Sequence, residues 1–204
     1  MTSVCVYCAS STQIDEKYFR AAEELGMLIA QHGLRLITGA GRQGLMKAVQ
    51  DAALTAGGEA VGVIPSFMVK EGWHHMGLTQ LIETASMHER KQMMADLSDG
   101  AIALPGGCGT FEELLEIITW KQLGLYLNPV IILNIDGYYD HLIAQLSGTV
   151  GNFRDPGTLL QQPLQLAIDL FAGNGMVGFV AKERVDGKLV LPEAVKLLVM
   201  KKST

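Results

Sequence analysis

Short apolar runs alternating with segments of helix length constrain this chain more than any other feature of its sequence. SVCVYC, LRLIT, EAVGVI, AIAL and PVIILN are almost wholly apolar, and each stops at or near a turn residue. A strand buried on both faces reads this way, whereas a strand with one wet face alternates polar and apolar positions. Between these runs lie an amphipathic segment from Asp15 to Gln31, with Ala22, Leu25, Leu28 and Ile29 on one side and Gly33 as its stop, and a second from Leu45 to Thr55. After EAVGVI, ended by Pro65, come a less regular stretch through Trp73, His74 and His75, then LTQLIET, a helix from about Met87 to Leu97, and a leucine- and glutamate-rich helix to about Leu123. Parallel strands need crossovers of this length. The order therefore predicts an α/β fold, a doubly wound parallel sheet with helices on both faces. Ligands bind such sheets beyond the carboxyl ends of the strands, where the glycine turns of this chain fall.

The first turn, GAGRQG at Gly39 to Gly44, fits G-x-G-x-x-G. A dinucleotide site also wants an acidic residue about 20 residues on, near the end of the next strand. That strand ends in Val63, Ile64 and Pro65, and its one carboxylate, Glu59, stands at its beginning. The spacing argues against NAD; the glycines allow close approach to some other phosphate or ribose, or a tight strand-to-helix turn. Cys5 and Cys8 form a C-x-x-C, but residues three apart in a strand face opposite sides, so the two thiols cannot meet.

The second turn lies in ALPGGCGTFEELLE, residues 103 to 116. Amides at the start of a helix lack intrahelical acceptors and sit at the positive end of its dipole, so Gly106 to Thr110 offers a cradle for a phosphate. The spacing is not that of a P-loop and no lysine follows it, which fits a monophosphate better than a triphosphate. Glu113 has two readings. Thr110-Phe111-Glu112-Glu113 has the spacing of a capping box. Alternatively, Glu112 or Glu113, Glu116 and Thr119 form a polar, chemical face pointing back to the strand ends. Upstream, His88, Glu89, Arg90 and Lys91 crowd the first turn of a helix, where cations oppose the dipole; they are either a solvated charged turn or partners of something anionic. His74 and His75 are adjacent with no evident third ligand, which disfavours a metal.

The 204 residues suit one domain with an appendage, with a core over 1–147 and an extension over 148–204. In that extension Pro156, Gly157, Pro163 and several glycines break an apolar tail, and VDG between FVAKER and KLVL suggests a hairpin. A net charge of −5 disfavours nucleic acid and anionic membranes as partners. No apolar run approaches the roughly 18 residues of a spanning helix and no leader is visible, so the expectation is a cytoplasmic protein. Three cysteines, an odd number, agree with that. With 49% hydrophobic and only 18% charged residues, part of the surface is expected to be covered in a homodimer or higher homo-oligomer.

Cys8-Ala9-Ser10-Ser11, Gly39 to Met46, Met87-His88-Glu89-Arg90-Lys91, Pro105 to Glu113 and Thr119 to Gly124 occur in an order and spacing that resemble the LOG ("Lonely Guy") family, over about residues 3 to 146. The family comprises cytokinin riboside 5′-monophosphate phosphoribohydrolases, long mislabelled lysine decarboxylases. The resemblance implies a Rossmann-like, homo-oligomeric enzyme that hydrolyses the N-glycosidic bond of AMP or an N6-substituted AMP, with no metal or cofactor. It implies Arg90 and Glu113 as the catalytic pair, and Arg90, Lys91, Gly107, Cys108, Gly109, Thr110, Phe111, Glu112, Glu113 and Thr119 as the residues that contact the nucleotide. Glu113 would stabilise an oxocarbenium-like sugar and orient water, and Arg90 would hold Glu113 ionised. Ala9, Ala40 and Lys47 stand where the family commonly has glycine, and Glu71-Gly72-Trp73 departs from its pattern. A pyridoxal phosphate decarboxylase lacks support, since no segment offers a Schiff-base lysine with a partner for the pyridine nitrogen. The alternative on the same fold is a nucleotide or molybdenum-cofactor carrier.

Overall fold

The structure, a computed structural model, describes residues 2–149 and three short strands at 183–185, 188–190 and 195–199. Strands β1 (Ser3–Tyr7), β2 (Arg35–Thr38), β3 (Ala60–Pro65), β4 (Gln80–Thr84), β5 (Ala101–Ala103) and β6 (Val130–Asn134) alternate with helices α1 (Glu16–Gln31), α2 (Gly44–Thr55), α3 (Ser66–Lys70), α4 (Met87–Asp96) and α5 (Cys108–Gln122). A 3-10 turn, Ile135–Gly137, leads into α6 (Asp140–Thr149). The sheet runs β4-β3-β2-β1-β5-β6, and the last described strand of the chain, Val195–Val199, pairs beside β6. Every pairing in it is parallel. The doubly wound α/β sheet expected from the sequence is therefore the fold.

Each face of the sheet buries one cluster. On one side Val4, Val6, Leu36, Ala60, Ile102 and Leu133 meet Ala22, Leu25 and Ile29 of α1 and Leu45, Val49 and Ala53 of α2. On the other Cys5, Tyr7, Ile37, Val63 and Ile132 meet Met94 of α4 and Leu114, Ile117 and Ile118 of α5. Cys5 and Cys8 belong to opposite clusters, as period-2 geometry requires. Strands buried on both faces explain why those runs show no alternation, and the residues of β4, at one edge, are largely exposed or half-buried. Helix α1 starts where the Asp15 carboxylate accepts from Lys17 N at 3.1 Å and ends at Gly33, φ +65°.

The chain walks outward from β1 to β4, then returns through α4 to place β5 on the other flank of β1. The carboxyl ends of β1 and β5 thus diverge at a switch point, the place where such sheets hold ligands. There the Ala9 amide donates to the Pro105 carbonyl at 3.1 Å, tying the two strand ends together. Glu183–Val185 and Lys188–Val190 pair antiparallel on either side of Asp186 and Gly187. The remainder of the 148–204 extension beyond Thr149, apart from these strands and Val195–Val199, lies outside the described residues.

Candidate active site

Helix α5 begins three residues earlier than a Thr110 cap would have it. Its N-cap is Gly107, which makes no side-chain cap bond, and Thr110 is already inside the helix with its side chain buried. The capping-box reading of Glu113 is therefore incorrect: Gly107, not Thr110, leads the helix, so Glu112 and Glu113 fall beyond its first turn. What the Thr110 side chain does instead is fill the space over Gly106, where an added Cβ would lie 2.1 Å from its hydroxyl oxygen. Gly107 and Gly109 face open space, and Cys108 between them is exposed. The leading amides of α5 thus border an open, side-chain-free surface suited to an anion. Two neighbouring tyrosines fix this turn: Tyr138 OH donates to the Gly106 carbonyl at 2.7 Å and Tyr139 OH to the Leu104 carbonyl at 2.6 Å.

Glu113 faces Arg90 of α4. The guanidinium Nη1 stands 3.1 Å from Glu113 Oε1, with both side chains 7% exposed, and Arg90 Nε donates to the Val63 carbonyl at 3.0 Å. Ends of three strands meet here, since Val63 closes on β3, Glu113 follows β5, and Gly39, after β2, lies against the guanidinium. Burial lifts the Glu113 carboxyl above its ordinary value of 4.5; Arg90 opposes the rise without cancelling it. Arg90 favours the ionised carboxyl, as the sequence reading has it, while desolvation acts the other way and is the larger effect. Tyr7 and Cys5 of β1 lie beneath the pair, each held protonated by burial and by the nearby Glu113 charge.

Lys91 turns the other way. Its Nζ reaches Glu112 Oε1 at 2.8 Å and Glu116 Oε2 at 3.0 Å with only 7% of its side chain exposed. Burial would lower its pKa, but the two carboxylates overcome that and raise it. Two of the four residues in the charged turn, Arg90 and Lys91, are thus buried and paired, while His88 and Glu89 are exposed; a solvated turn describes only the latter two. The expected polar face also divides. Glu112, Glu116 and Thr119 share a side of α5, with Lys91 across the first two, whereas Glu113 leaves that stripe for Arg90.

Thr119 is not brought to the pair. It lies six residues past Glu113, about 9 Å further along the axis and about a third of a turn round it. Its exposed hydroxyl donates to the Leu115 carbonyl at 2.7 Å. Phe111 is half-buried against the Tyr139 ring, centroids 5.7 Å apart, and so supports the turn. Sequence reasoning did not single out Val63, Tyr138 or Tyr139. The tyrosines sit in DGYYD just beyond β6, a strand-end position that could have flagged them; a backbone carbonyl such as that of Val63 leaves no sequence signal.

His75 also resolves. Its Nε2 lies 2.8 Å from Asp51 Oδ1 and its Nδ1 accepts from the Gly77 amide at 3.1 Å, so the ring is fully engaged in protein contacts. The same segment straps the GAGRQG turn: His75 N donates to the Ala40 carbonyl at 2.8 Å and Arg42 N to the Trp73 carbonyl at 3.1 Å.

Residues 46–161 match the family model described as possible lysine decarboxylase. The chain is 45% identical over 159 residues to the cytokinin riboside 5′-monophosphate phosphoribohydrolase of Rhodococcoides fascians, covering 76% of this chain and 80% of that protein. It is 43% identical to a probable enzyme of the same name from Oryza sativa subsp. japonica, covering 73% of this chain and 66% of that one. An Arabidopsis thaliana enzyme of that name is 44% identical, with coverages of 72% and 64%. The chain thus spans slightly under two thirds of the length of these two plant relatives. Among solved structures, the molybdenum cofactor binding protein of Rippkaea orientalis is similar at TM-score 0.56 and 29% identity, covering 72% of this chain and 85% of that one. The Moco carrier protein of Chlamydomonas reinhardtii is similar at TM-score 0.57 and 26% identity, with coverages of 72% and 85%.

Proposed function

This chain belongs to the LOG family, whose model carries the description possible lysine decarboxylase, and from that premise we propose that it hydrolyses the N-glycosidic bond of AMP or N6-substituted adenosine 5′-monophosphates. Free base and ribose 5-phosphate are the products. The observation that carries the reading is the buried Arg90–Glu113 ion pair beside an open glycine helix start.

In this reading the leading amides of α5, Gly107 to Thr110, take the 5′-phosphate, which fixes the ribose over the strand ends. Glu113 lies within one to two helical turns of that cradle, near the anomeric carbon. Departure of adenine leaves positive charge on the sugar. The Glu113 carboxylate stabilises it and orients the attacking water, and Arg90 holds that carboxylate in place while offering its remaining N–H groups to the ribose hydroxyls. Arg90 pairs with Oε1 of Glu113, and in this reading Oε2 faces the reacting centre. Lys91 fixes Glu112 and Glu116 on their side of α5.

Decarboxylation of lysine through pyridoxal phosphate does not fit these residues. A Schiff-base lysine must be able to lose its proton, whereas Lys91 is held protonated between two carboxylates. A carrier role, as in the molybdenum-cofactor proteins, would need no buried carboxylate against the ligand. The ion pair favours turnover.

A homo-oligomer is part of this proposal. Leu115, Leu123, Leu125 and Leu127, on and just beyond α5, are 37%, 67%, 72% and 74% exposed, an apolar surface that supports covering by a second copy. Thr119 lies on the same helix, so its contact with a nucleotide would be to the site of that second copy. No helix among the described residues is long and apolar enough to cross a membrane. The free thiols of Cys5, Cys8 and Cys108 support a cytoplasmic location.

Phosphate recognition gives the test. AMP should be cleaved with a kcat/KM at least about 10²-fold above that of adenosine, because the cradle's binding energy is realised only with the 5′-phosphate. Equal kcat/KM values for nucleotide and nucleoside would refute the cradle.

A further inference from the structure

Gly39, first residue of the GAGRQG turn, has no backbone reason to be glycine. It is not among the residues with positive φ, unlike Gly44 at +63° in the same turn. A Cβ at Gly44 would strike the backbone of Ala9, Ser10 and Ser11, so there the glycine serves a tight turn. At Gly39 the three atoms nearest to a Cβ all belong to the Arg90 guanidinium. That Cβ would lie 1.7 Å from Arg90 Nη2, 2.8 Å from Cζ and 3.4 Å from Nε.

The guanidinium is therefore in a slot. Val63 O holds its Nε edge and Glu113 holds Nη1, while the bare Cα of Gly39 lies against Nη2. A rigid planar group cannot yield to a new methyl and keep both bonds. The turn cannot retreat either. Ala40, next in sequence, is fully buried in a left-handed conformation at φ +62°; its amide donates to Thr38 Oγ1 at 3.2 Å and its carbonyl accepts from the His75 amide. The strap through Trp73 closes over Arg42.

We propose that Gly39 is a positioning residue for Arg90, its missing side chain forming the slot that holds the guanidinium against Glu113. The consequence for catalysis rests on the reading of Arg90 and Glu113 as the hydrolytic pair. Since the obstructing atoms are the far end of a side chain, the strain of a Gly39→Ala substitution is relieved by moving Arg90, and the loss appears in turnover more than in folding.

The test compares Gly39→Ala, Arg90→Ala and the double variant with the parent protein. For Gly39→Ala, kcat on AMP should fall by about 10²-fold, as for a displaced catalytic group. Its thermal melt should stay near that of the parent. In the Arg90→Ala background Gly39→Ala should cost nothing further, because no guanidinium remains to be displaced. Should Gly39→Ala lower the melt, the double variant should melt no lower than Arg90→Ala alone.

Titration of the Glu113 carboxyl by carbon-13 NMR provides a readout independent of turnover. The charged and titratable groups around it are Arg90 and Lys91 of α4, Cys5 and Tyr7 of β1, Cys8 just after it, and Glu112 on its own helix. Only Arg90 moves in Gly39→Ala, so the carboxyl should titrate at higher pH than in the parent. An unchanged titration, an equal loss of kcat with and without Arg90, or a melting defect of Gly39→Ala that persists in full in the Arg90→Ala background would overturn the slot. If the parent protein cleaves neither AMP nor isopentenyl-AMP, the functional reading falls, and the titration and melting arms judge the slot alone.

Discussion

Glu113 occupies a position where a carboxylate is costly, and Arg90 is what makes it tolerable. Its pKa is raised in the folded protein, so the folded state binds a proton more tightly than the unfolded chain. Its contribution to stability is then fully present below the ordinary value of 4.5 and is lost as pH rises through the elevated folded value. Glu113→Gln removes that titration. The melting temperature of the variant relative to the parent should therefore shift in the variant's favour as pH rises from about 4 to about 7. A difference that stays constant across this range would show that Arg90 balances burial, and one that moves against the variant that it outweighs burial. Lys91, with two carboxylates on it, shows the opposite balance within the same charged turn.

At the scale of elements, the tightest constraint is the contact of α1 with α2. A Cβ on Gly26 of α1 would lie 2.3 Å from the Val49 carbonyl oxygen of α2 and 3.0 Å from the Ala52 Cβ. Gly26→Ala would gain about 1 kcal/mol of helix propensity in isolation. Here overpacking against backbone, about 1–3 kcal/mol, should win and lower the melting temperature. A variant as stable as the parent would mean that the two helices separate freely. Elements with a strong period, α1 and the doubly buried strands, were legible in the sequence to within a residue or so. The short helix α3 was not, because five residues after Pro65 carry no helical repeat. Nor was the start of α5: Gly107 caps it through backbone alone, whereas Thr110 and Glu113 mimic a capping box by spacing. Arg90 and Glu113 could be named from their motifs, but that Arg90 leans on Gly39 and Val63 depends on three strands arriving at one edge, which no local pattern encodes.

For the whole molecule, the return of the chain through α4 matters most, since it brings Arg90 from one flank of the sheet to Glu113 on the other. The exposed leucines of and beyond α5 lie on the same helix that supplies the cradle, so assembly and site are linked through one element. Sedimentation at micromolar concentration should show a homodimer or larger species, and a monomer would contradict that covering. The central claim is that the Arg90–Glu113 pair cleaves a nucleotide at its glycosidic bond. It is tested most directly by quantifying products after incubation of AMP and isopentenyl-AMP with the parent protein and with Glu113→Gln. The parent should release free base and ribose 5-phosphate in equal amounts, and the folded variant should do so at least about 10²-fold more slowly. Intact nucleotide after incubation with the parent, or parental turnover by Glu113→Gln, would contradict the account.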